Sequence, residues 1–232
     1  MPESTPVAGP LRVEAFGDAA VLITFGDTID PLVNRWVHTV ARRLDAMPDG
    51  ERDLAFGTPV PAYASLLVPF DRWTVSAHEA VQYLEGVIEG VDLDSTGPDL
   101  PPRLVGIPVR YGGHGGPDLL EVAERTSLTP EQVVEAHASL DYACFFLGFT
   151  PGFGYLGVLP PELELPRRDE PRTRVPAGSV AIAGRQTAVY PSPTPGGWHL
   201  IGQTEAVLWD VHRDPPALLA AGDRVRFVPE SG

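Results

Sequence analysis

Residues 148–200 place the strongest limit on the fold, because they are rich in glycine and proline and show no helical period. Short apolar runs separated by turn residues are typical of a β-barrel or a β-sandwich. Within this region the stretch GFTPGFGYLG, residues 148–157, combines four glycines with three aromatic residues. Glycine suits a backbone with positive φ or a close approach, so the stretch predicts a barrel corner or the lip of a pocket. We expect short strands in VPAGSVAIAG, QTAVYP, GWHLIGQT, AVLWD and DRVRFVP.

The first part of the chain predicts a small α+β domain. Alternating and apolar runs indicate strands, whereas apolar residues at helical spacing, preceded by capping residues, indicate two amphipathic helices. The order strand, strand, helix, strand, helix is typical of a sheet with two helices on one face. The segments are LRVEAFG and AAVLITFG, a helix from Pro31 capped by Asp30, YASLLVPFD, and a helix whose capping box pairs Ser76 with Glu79.

A polar, proline-rich segment without periodicity, residues 92–102, indicates a linker between two domains. We therefore predict domains at 1–95 and 103–232. The second domain opens with the strand RLVGIPVRYGG, followed by the helices PDLLEVAERTSL and TPEQVVEAHASL, and continues into the strand-rich region. The fold class expected is an α+β N-terminal domain followed by a mainly-β barrel domain.

Charge excludes several classes of function. The net charge of -14 disfavours binding to nucleic acid and to anionic membranes, because both require a basic surface. All 17 basic residues are arginine, so mechanisms that need a P-loop lysine, a Schiff-base lysine or a biotinylated lysine are excluded in this chain. Arginine favours a planar, bidentate grip on a carboxylate or phosphate.

No familiar catalytic or metal-binding motif is present. The sequence contains no HExxH, GxSxG or Walker motif, and its six histidines show no spacing typical of metal ligands. The single cysteine, Cys144, lies in an apolar run and is expected to be a buried thiol. The N-terminal residues lack the features of a signal peptide and no segment reaches about 18 apolar residues. We therefore expect a cytoplasmic protein without a metal site.

Several polar residues are candidates for a binding site. Four arginines within eight residues of an acidic chain could hold an anionic group or an acidic partner, or could form surface salt bridges. His137 lies on an apolar helix face that leads towards residues 148–157, and YGGHGG, residues 111–116, could present backbone N–H groups to an anion. The arginines are Arg167, Arg168, Arg172 and Arg174, and polar groups on the expected strands are Ser179, Gln186, Thr187, Tyr190 and Gln203.

The ordered segments GFTPGFGYLGVLP, PRRDEPRTRVPAGSVAIAGRQTAVYP and PGGWHLIGQT resemble the family called allophanate hydrolase subunit 1, also known as the B-type subunit of 5-oxoprolinase. The resemblance is strong over residues 104–229 and looser over the first domain. It departs at Gly154, where relatives commonly have proline, and at Arg174, where many have lysine. The resemblance implies a cyclophilin-like β-barrel for the second domain.

The resemblance also implies a function. Members pair with a homologous partner, called subunit 2 or the C-type subunit, and with a third subunit resemble an ATP-dependent 5-oxoprolinase, which opens the lactam of 5-oxoproline to glutamate. We expect ATP to be bound by the assembled complex. Because phosphorylation by ATP can activate the lactam carbonyl, this chain would need to supply positioning and charge rather than a nucleophile.

We predict a pocket shared with the partner subunit. In it, Arg168, Arg172 and His137 are the predicted catalytic residues. The predicted substrate-binding residues provide a flat wall, a cation and polar contacts; they are Phe153, Tyr155, Arg174, Ser179 and Gln186.

The same resemblance leaves other functions open. The family includes a sporulation-kinase inhibitor, so the chain could regulate a histidine kinase. The related region of urea carboxylase suggests a carboxyl-transferase module that works with biotin carried elsewhere. Prolyl isomerisation is a further alternative, but fold alone does not imply function.

Overall fold

A computed structural model describes residues 11–47, 56–91 and 102–230. The chain divides into two compact units, residues 1–101 and 102–232. Most of the predicted linker lies outside the described residues, so the proposed domain limits of 1–95 and 103–232 stay predictions. Each unit is described separately below.

The first unit is a four-stranded antiparallel sheet with two helices, as the sequence predicts. Its strand order is β1-β2-β4-β3, and the two-residue strand β3 has no counterpart among the predicted strands. The apolar sides of β2 and β4 pack with both helices in one core. The elements are β1 Arg12–Ala15, β2 Ala20–Thr24, α1 Pro31–Asp45, β3 Val60–Pro61, β4 Ser65–Pro69 and α2 Ala77–Glu89.

Local sequence signals explain where these helices begin. The carboxylate of Asp30 accepts a hydrogen bond from the backbone N–H of Leu32 at 2.7 Å, which satisfies a donor at the start of α1. At α2, Ser76 and Glu79 form the predicted reciprocal capping box. The helices therefore start at the residues that the capping pattern indicates.

The second unit is built on a closed seven-stranded barrel, which confirms the predicted mainly-β domain. Strand order around the barrel is β10-β7-β6-β13-β5-β12-β9, and β8 and β11 form a separate two-stranded antiparallel sheet. The elements are β5 Leu104–Tyr111, α3 Leu119–Thr126, α4 Pro130–Ala138, β6 Asp141–Leu147, β7 Gly154–Gly157, a 3-10 helix Pro161–Leu163, β8 Arg172–Val175, β9 Ser179–Ala183, β10 Gln186–Val189, β11 Thr194–Gly196, β12 His199–Gln203 and β13 Arg224–Pro229.

Strands β9, β10 and β12 are buried on both faces. On one face, Val180, Ile182 and Ile201 belong to the main barrel core, which α3 and α4 help to fill. On the other face, Ala181 and Leu200 pack with a second, aromatic-rich cluster. This burial explains why these strands read as continuous apolar runs rather than alternating ones.

One expected strand is not formed. Within AVLWD, residues 206–210, only an isolated bridge joins Trp209 to Ala217. The backbone N–H of Leu218 donates to the carbonyl of Leu208, and the segment otherwise runs as a loop. Apolar β-forming residues predicted a strand here, but no neighbouring strand among the described residues pairs with the segment.

The close packing of the loop before α3 can be tested by adding a single methyl group at Gly116. A Cβ at Gly116 would lie 2.2 Å from the carbonyl oxygen of Ile201, so Gly116→Ala should displace the loop and lower the free energy of unfolding by about 2 kcal/mol. Urea-induced unfolding followed by circular dichroism measures this. Gly106→Ala is the control, because its Cβ would meet only Val228 at 3.9 Å. Equal stability of the two variants would contradict the tight fit at Gly116.

Candidate functional site

A cleft of about 160 Å³ opens in the second unit between strand β8, the start of β9, strand β12 and the loop before α3. It contains two guanidinium groups together with uncharged polar groups and a few apolar ones. Its lining residues are His114, Gly115, Pro117, Arg172, Arg174, Pro176, Ser179, Leu200 and Gln203. Arg172, Arg174 and Ser179 are three of the residues predicted from the sequence.

Strand β8 carries both arginines of the cleft, because Arg172 and Arg174 are both lining residues. The pairing of β8 with β11 shifts register between Arg172 and Val175, so the faces do not alternate strictly along this strand. Val175, the last residue of β8, is fully buried in the aromatic-rich cluster. Its burial anchors the strand that presents the two cations to the cleft.

Asp118 is the buried carboxylate behind the cleft. Only 4% of the residue is exposed, and it precedes α3 without capping it. One oxygen accepts from Arg172 at 2.6 Å and from Arg168 at 3.1 Å, and the other accepts from the backbone N–H of Leu200 at 2.7 Å. A buried carboxylate requires such compensation. Asp118 therefore ties two arginines and strand β12 to the start of α3.

The two arginines of the cleft differ in how they are paired. Arg172 donates through Nη2 to Asp118, whereas its Nη1 is buried and has no hydrogen-bond partner among the described residues. Arg174 is exposed and forms no salt bridge with the part of the chain that the structure describes. Arg168 is held by Asp118 and Glu121 and is not among the lining residues. The cleft is thus lined by one arginine that is fixed by Asp118 and by a second that has no ion-pair partner among the described residues.

His137 lies in the core of the barrel and has no exposed surface. Its Nδ1 is 2.7 Å from the hydroxyl of Tyr111, and its Nε2 is 2.8 Å from the hydroxyl of Thr187. Since Thr187 also donates to the carbonyl of Ala181, its oxygen is free to accept from Nε2–H, which leaves Nδ1 to accept from Tyr111. Burial lowers the pKa of His137 to about 3, so the ring is neutral. The structure places this residue apart from the cleft lining, and its catalytic role stays a prediction.

Phe153 and Tyr155 belong to the aromatic-rich cluster and do not line the cleft. Phe153 is 2% exposed and meets Tyr190 and Trp198 edge to face, with ring centroids 5.4 and 6.0 Å apart. Tyr155 stacks on Phe146 at 4.5 Å. The structure therefore uses these rings to cover the outer face of the barrel strands, and their binding role stays a prediction.

The remaining predicted site residue, Gln186, begins β10 and pairs with Ala183 and Gly157 in the barrel. It is not among the residues that line the cleft. The sequence interpretation missed Asp118, although its position between Gly-Gly-Pro and an apolar helical run is typical of a helix start. Gln203 and the YGGHGG loop are polar candidates from the sequence, and the structure brings Gln203, His114 and Gly115 to the cleft.

Cys144 is poorly suited to act as a nucleophile. It is 1% exposed, and burial raises the pKa of its thiol to about 12. Among the described residues, no group of three or more His, Cys, Asp or Glu side chains is arranged to hold a metal ion. Within residues 11–47, 56–91 and 102–230, no helix combines the length and the apolar character needed to cross a bilayer.

Comparison with known proteins defines the class. The chain matches the family described as carboxyltransferase domain, subdomain C and D, over residues 11–219, and it belongs to this family. Two relatives are each named as the B-type subunit of 5-oxoprolinase. The one from Bacillus subtilis (strain 168) is 41% identical and is covered over 92% of its length, and the one from Escherichia coli O157:H7 is 42% identical and is covered over 96%. Both alignments include 94% of this chain.

Two solved structures share the fold. The crystal structure of TTHA0988 matches 92% of this chain with a TM-score of 0.77 and 38% identity, and the chain spans only 40% of that protein's length. The urea carboxylase of Kluyveromyces lactis matches the whole chain with a TM-score of 0.77 and 16% identity, over 23% of its own length. At 16% identity the second match shows the common fold alone.

Removal of the buried carboxylate should be costly. Asp118→Ala leaves two guanidinium groups and the Leu200 N–H without their acceptor, so we expect the free energy of unfolding to fall by about 3 kcal/mol. Glu121→Ala is the control, because that carboxylate is 44% exposed and its loss should cost less than about 1 kcal/mol. Urea-induced unfolding compares the two variants. Equal losses would contradict the role assigned to Asp118.

Burial of His137 predicts a pH dependence of stability. Its pKa falls from 6.5 in the unfolded chain to about 3 in the folded one. Between these values the unfolded state binds a proton that the folded state does not, so stability decreases as pH falls. In His137→Gln, the free energy of unfolding should therefore fall less steeply with decreasing pH than in the unmodified chain. Between pH 6.5 and 4 the two slopes should differ by up to about 1.4 kcal/mol per pH unit in unfolding experiments.

The control for this pH experiment is His212→Gln, which alters an exposed ring. That variant should keep the pH dependence of the unmodified chain. If His137→Gln also keeps it, His137 does not stay neutral in the folded protein.

Proposed function

We propose that this chain is a subunit of an ATP-dependent 5-oxoprolinase, the enzyme that opens the lactam of 5-oxoproline to glutamate. The observation that carries the proposal is the alignment, over nearly the full length of both chains, with two proteins named as the B-type subunit of 5-oxoprolinase. The reaction class is the hydrolysis of a cyclic amide coupled to ATP hydrolysis. The site of action proposed is the cytoplasm.

The chemistry of the cleft is compatible with this reaction. A lactam is a stable amide, and transfer of a phosphoryl group from ATP to its carbonyl oxygen would create a leaving group. Water then adds to the carbonyl carbon, and the ring C–N bond breaks with protonation of the nitrogen, which leaves an acyl phosphate. A second water hydrolyses this acyl phosphate to the carboxylate and free phosphate. Such a sequence needs positioning and charge neutralisation more than a protein nucleophile. Arg172 and Arg174 can supply both to an anionic substrate.

The chain would act with partner subunits. A homologous protein, known as subunit 2 or the C-type subunit, and a third 5-oxoprolinase subunit are the proposed partners, and ATP would be bound by the assembly. The chain corresponds to 40% of TTHA0988, so the larger part of that protein has no counterpart here. A second polypeptide that supplies this remainder would complete the site.

The site residues proposed from the sequence fall into two groups. Arg172, Arg174 and Ser179 line the cleft and would contact the substrate, and Arg168 would support them through Asp118. The remaining four would act from outside the cleft lining, by maintaining the barrel or by contact with the partner subunit. They are His137, Phe153, Tyr155 and Gln186.

Co-expression tests the proposed function. The chain is purified together with its proposed partner subunits, and release of glutamate from 5-oxoproline is measured with and without ATP. We expect ATP-dependent release that requires this chain, and we expect Arg172→Ala to reduce turnover at least about a hundredfold without dissociating the complex.

Other outcomes would identify the alternatives. If the complex consumes ATP and bicarbonate only with a biotin carrier, the carboxyl-transferase function replaces the proposal. If the chain co-purifies with a histidine kinase and inhibits its autophosphorylation, the chain is a regulator. Normal turnover by an assembled Arg172→Ala complex would remove Arg172 from the site.

A further inference from the structure

The volume of the cleft in this chain matches a small ligand. Its volume of about 160 Å³ is close to that of an apolar cavity of about 150 Å³ that accommodates benzene. Sites for drug-sized ligands occupy about 300–1,000 Å³. A nucleotide is several times larger than a single small ring. The cleft therefore fits a ring of five or six atoms with one substituent.

The charge of the cleft limits the ligand further. Arg172 is paired with Asp118, whereas Arg174 lines the same cleft without a salt bridge among the described residues, and this leaves one unmatched positive charge at the wall. Arg168 adds little, because Glu121 shares it with Asp118 at 3.1 Å. One net positive charge matches a monoanion, whereas a triphosphate would bring about four negative charges next to a buried carboxylate. The balance favours a single carboxylate.

The hydrogen-bonding groups of the cleft also suit a ligand with a single carboxylate. The Nη1 of Arg172 is buried and lacks a described partner, which is costly unless a ligand accepts from it. Gln203 and Ser179 line the same cleft and can serve an amide, which has both a donor and an acceptor. The cleft thus combines a carboxylate-binding group with groups that suit a ring amide.

We propose that the cleft between Arg172 and Arg174 binds the carboxylate of a small cyclic amide, that it does not bind the nucleotide, and that Asp118 is a positioning residue for Arg172. This inference rests on the proposed function and assigns one of its two substrates to this chain. Asp118 accepts from Nη2 of Arg172 at 2.6 Å and is itself fixed by the Leu200 N–H at 2.7 Å. The guanidinium plane of Arg172 is thereby held at the wall of the cleft.

Kinetics of the assembled complex test the assignment. Arg174→Gln should raise the KM for 5-oxoproline about tenfold or more while the KM for ATP stays within about twofold. The matched control is Arg226→Gln. It removes the same charge from β13, where Arg226 forms an exposed pair with Asp141. A rise in the KM for ATP, or no change in either constant, would overturn the assignment.

A double-mutant cycle tests the positioning role. Asp118→Asn preserves the shape and an acceptor oxygen but loses the charge that orients Arg172. Alone it should raise the KM for 5-oxoproline about tenfold, whereas in an Arg172→Gln background it should add less than about twofold. If Asp118→Asn acted only through a general effect on folding, it would raise the KM by the same factor in both backgrounds. Full additivity would therefore overturn the positioning role.

Equilibrium binding separates this inference from the proposed function. The complex and the full chain are titrated with 5-oxoproline, with 2-pyrrolidinone, which lacks the carboxylate, and with ATP. Binding of 5-oxoproline but not of 2-pyrrolidinone, weakened about tenfold in Arg174→Gln, supports the cleft even if turnover is absent and the proposed function fails. Turnover of 5-oxoproline with unchanged binding in Arg174→Gln overturns the cleft and leaves the function intact. Absence of 5-oxoproline binding to the unmodified proteins also overturns it.

Discussion

The candidate site depends on one buried carboxylate. Asp118 joins the start of α3, strand β12 and the arginine-rich segment that leads into β8, three parts of the chain that are distant in sequence. Each of its contacts is charge-assisted or made to a buried N–H, and such contacts are strong because water does not compete for them. The position of Arg172, and with it the shape of the cleft, follows from this contact.

A rigid barrel supports that contact. Strands β9, β10 and β12 are packed on one face by the barrel core and on the other by the aromatic-rich cluster. The glycine-aromatic stretch 148–157 supplies part of this cluster, together with Tyr190 and Trp198. Its rings therefore stabilise the outer face of the barrel, and the cleft lies on other elements of the same unit.

Local signals made much of the fold predictable. Capping residues identified the helices that follow Asp30 and Ser76, and turn residues separated the strands of the barrel. The cleft was less predictable because it depends on contacts between distant segments. Arg172 and Arg174 stood out by their charge in an acidic chain, but Asp118 could be assigned only as a helix start. His137 gave an ambiguous signal, since an apolar helix face with one histidine is compatible with either a core residue or a catalytic one.

A crystal structure of the assembled complex with 5-oxoproline bound would show directly which groups hold the carboxylate. We expect it between the guanidinium groups of Arg172 and Arg174, with the hydrogen bond from Arg172 to Asp118 retained. Density for 5-oxoproline elsewhere in the complex, or for a nucleotide in this cleft, would show that the cleft does not bind the cyclic amide.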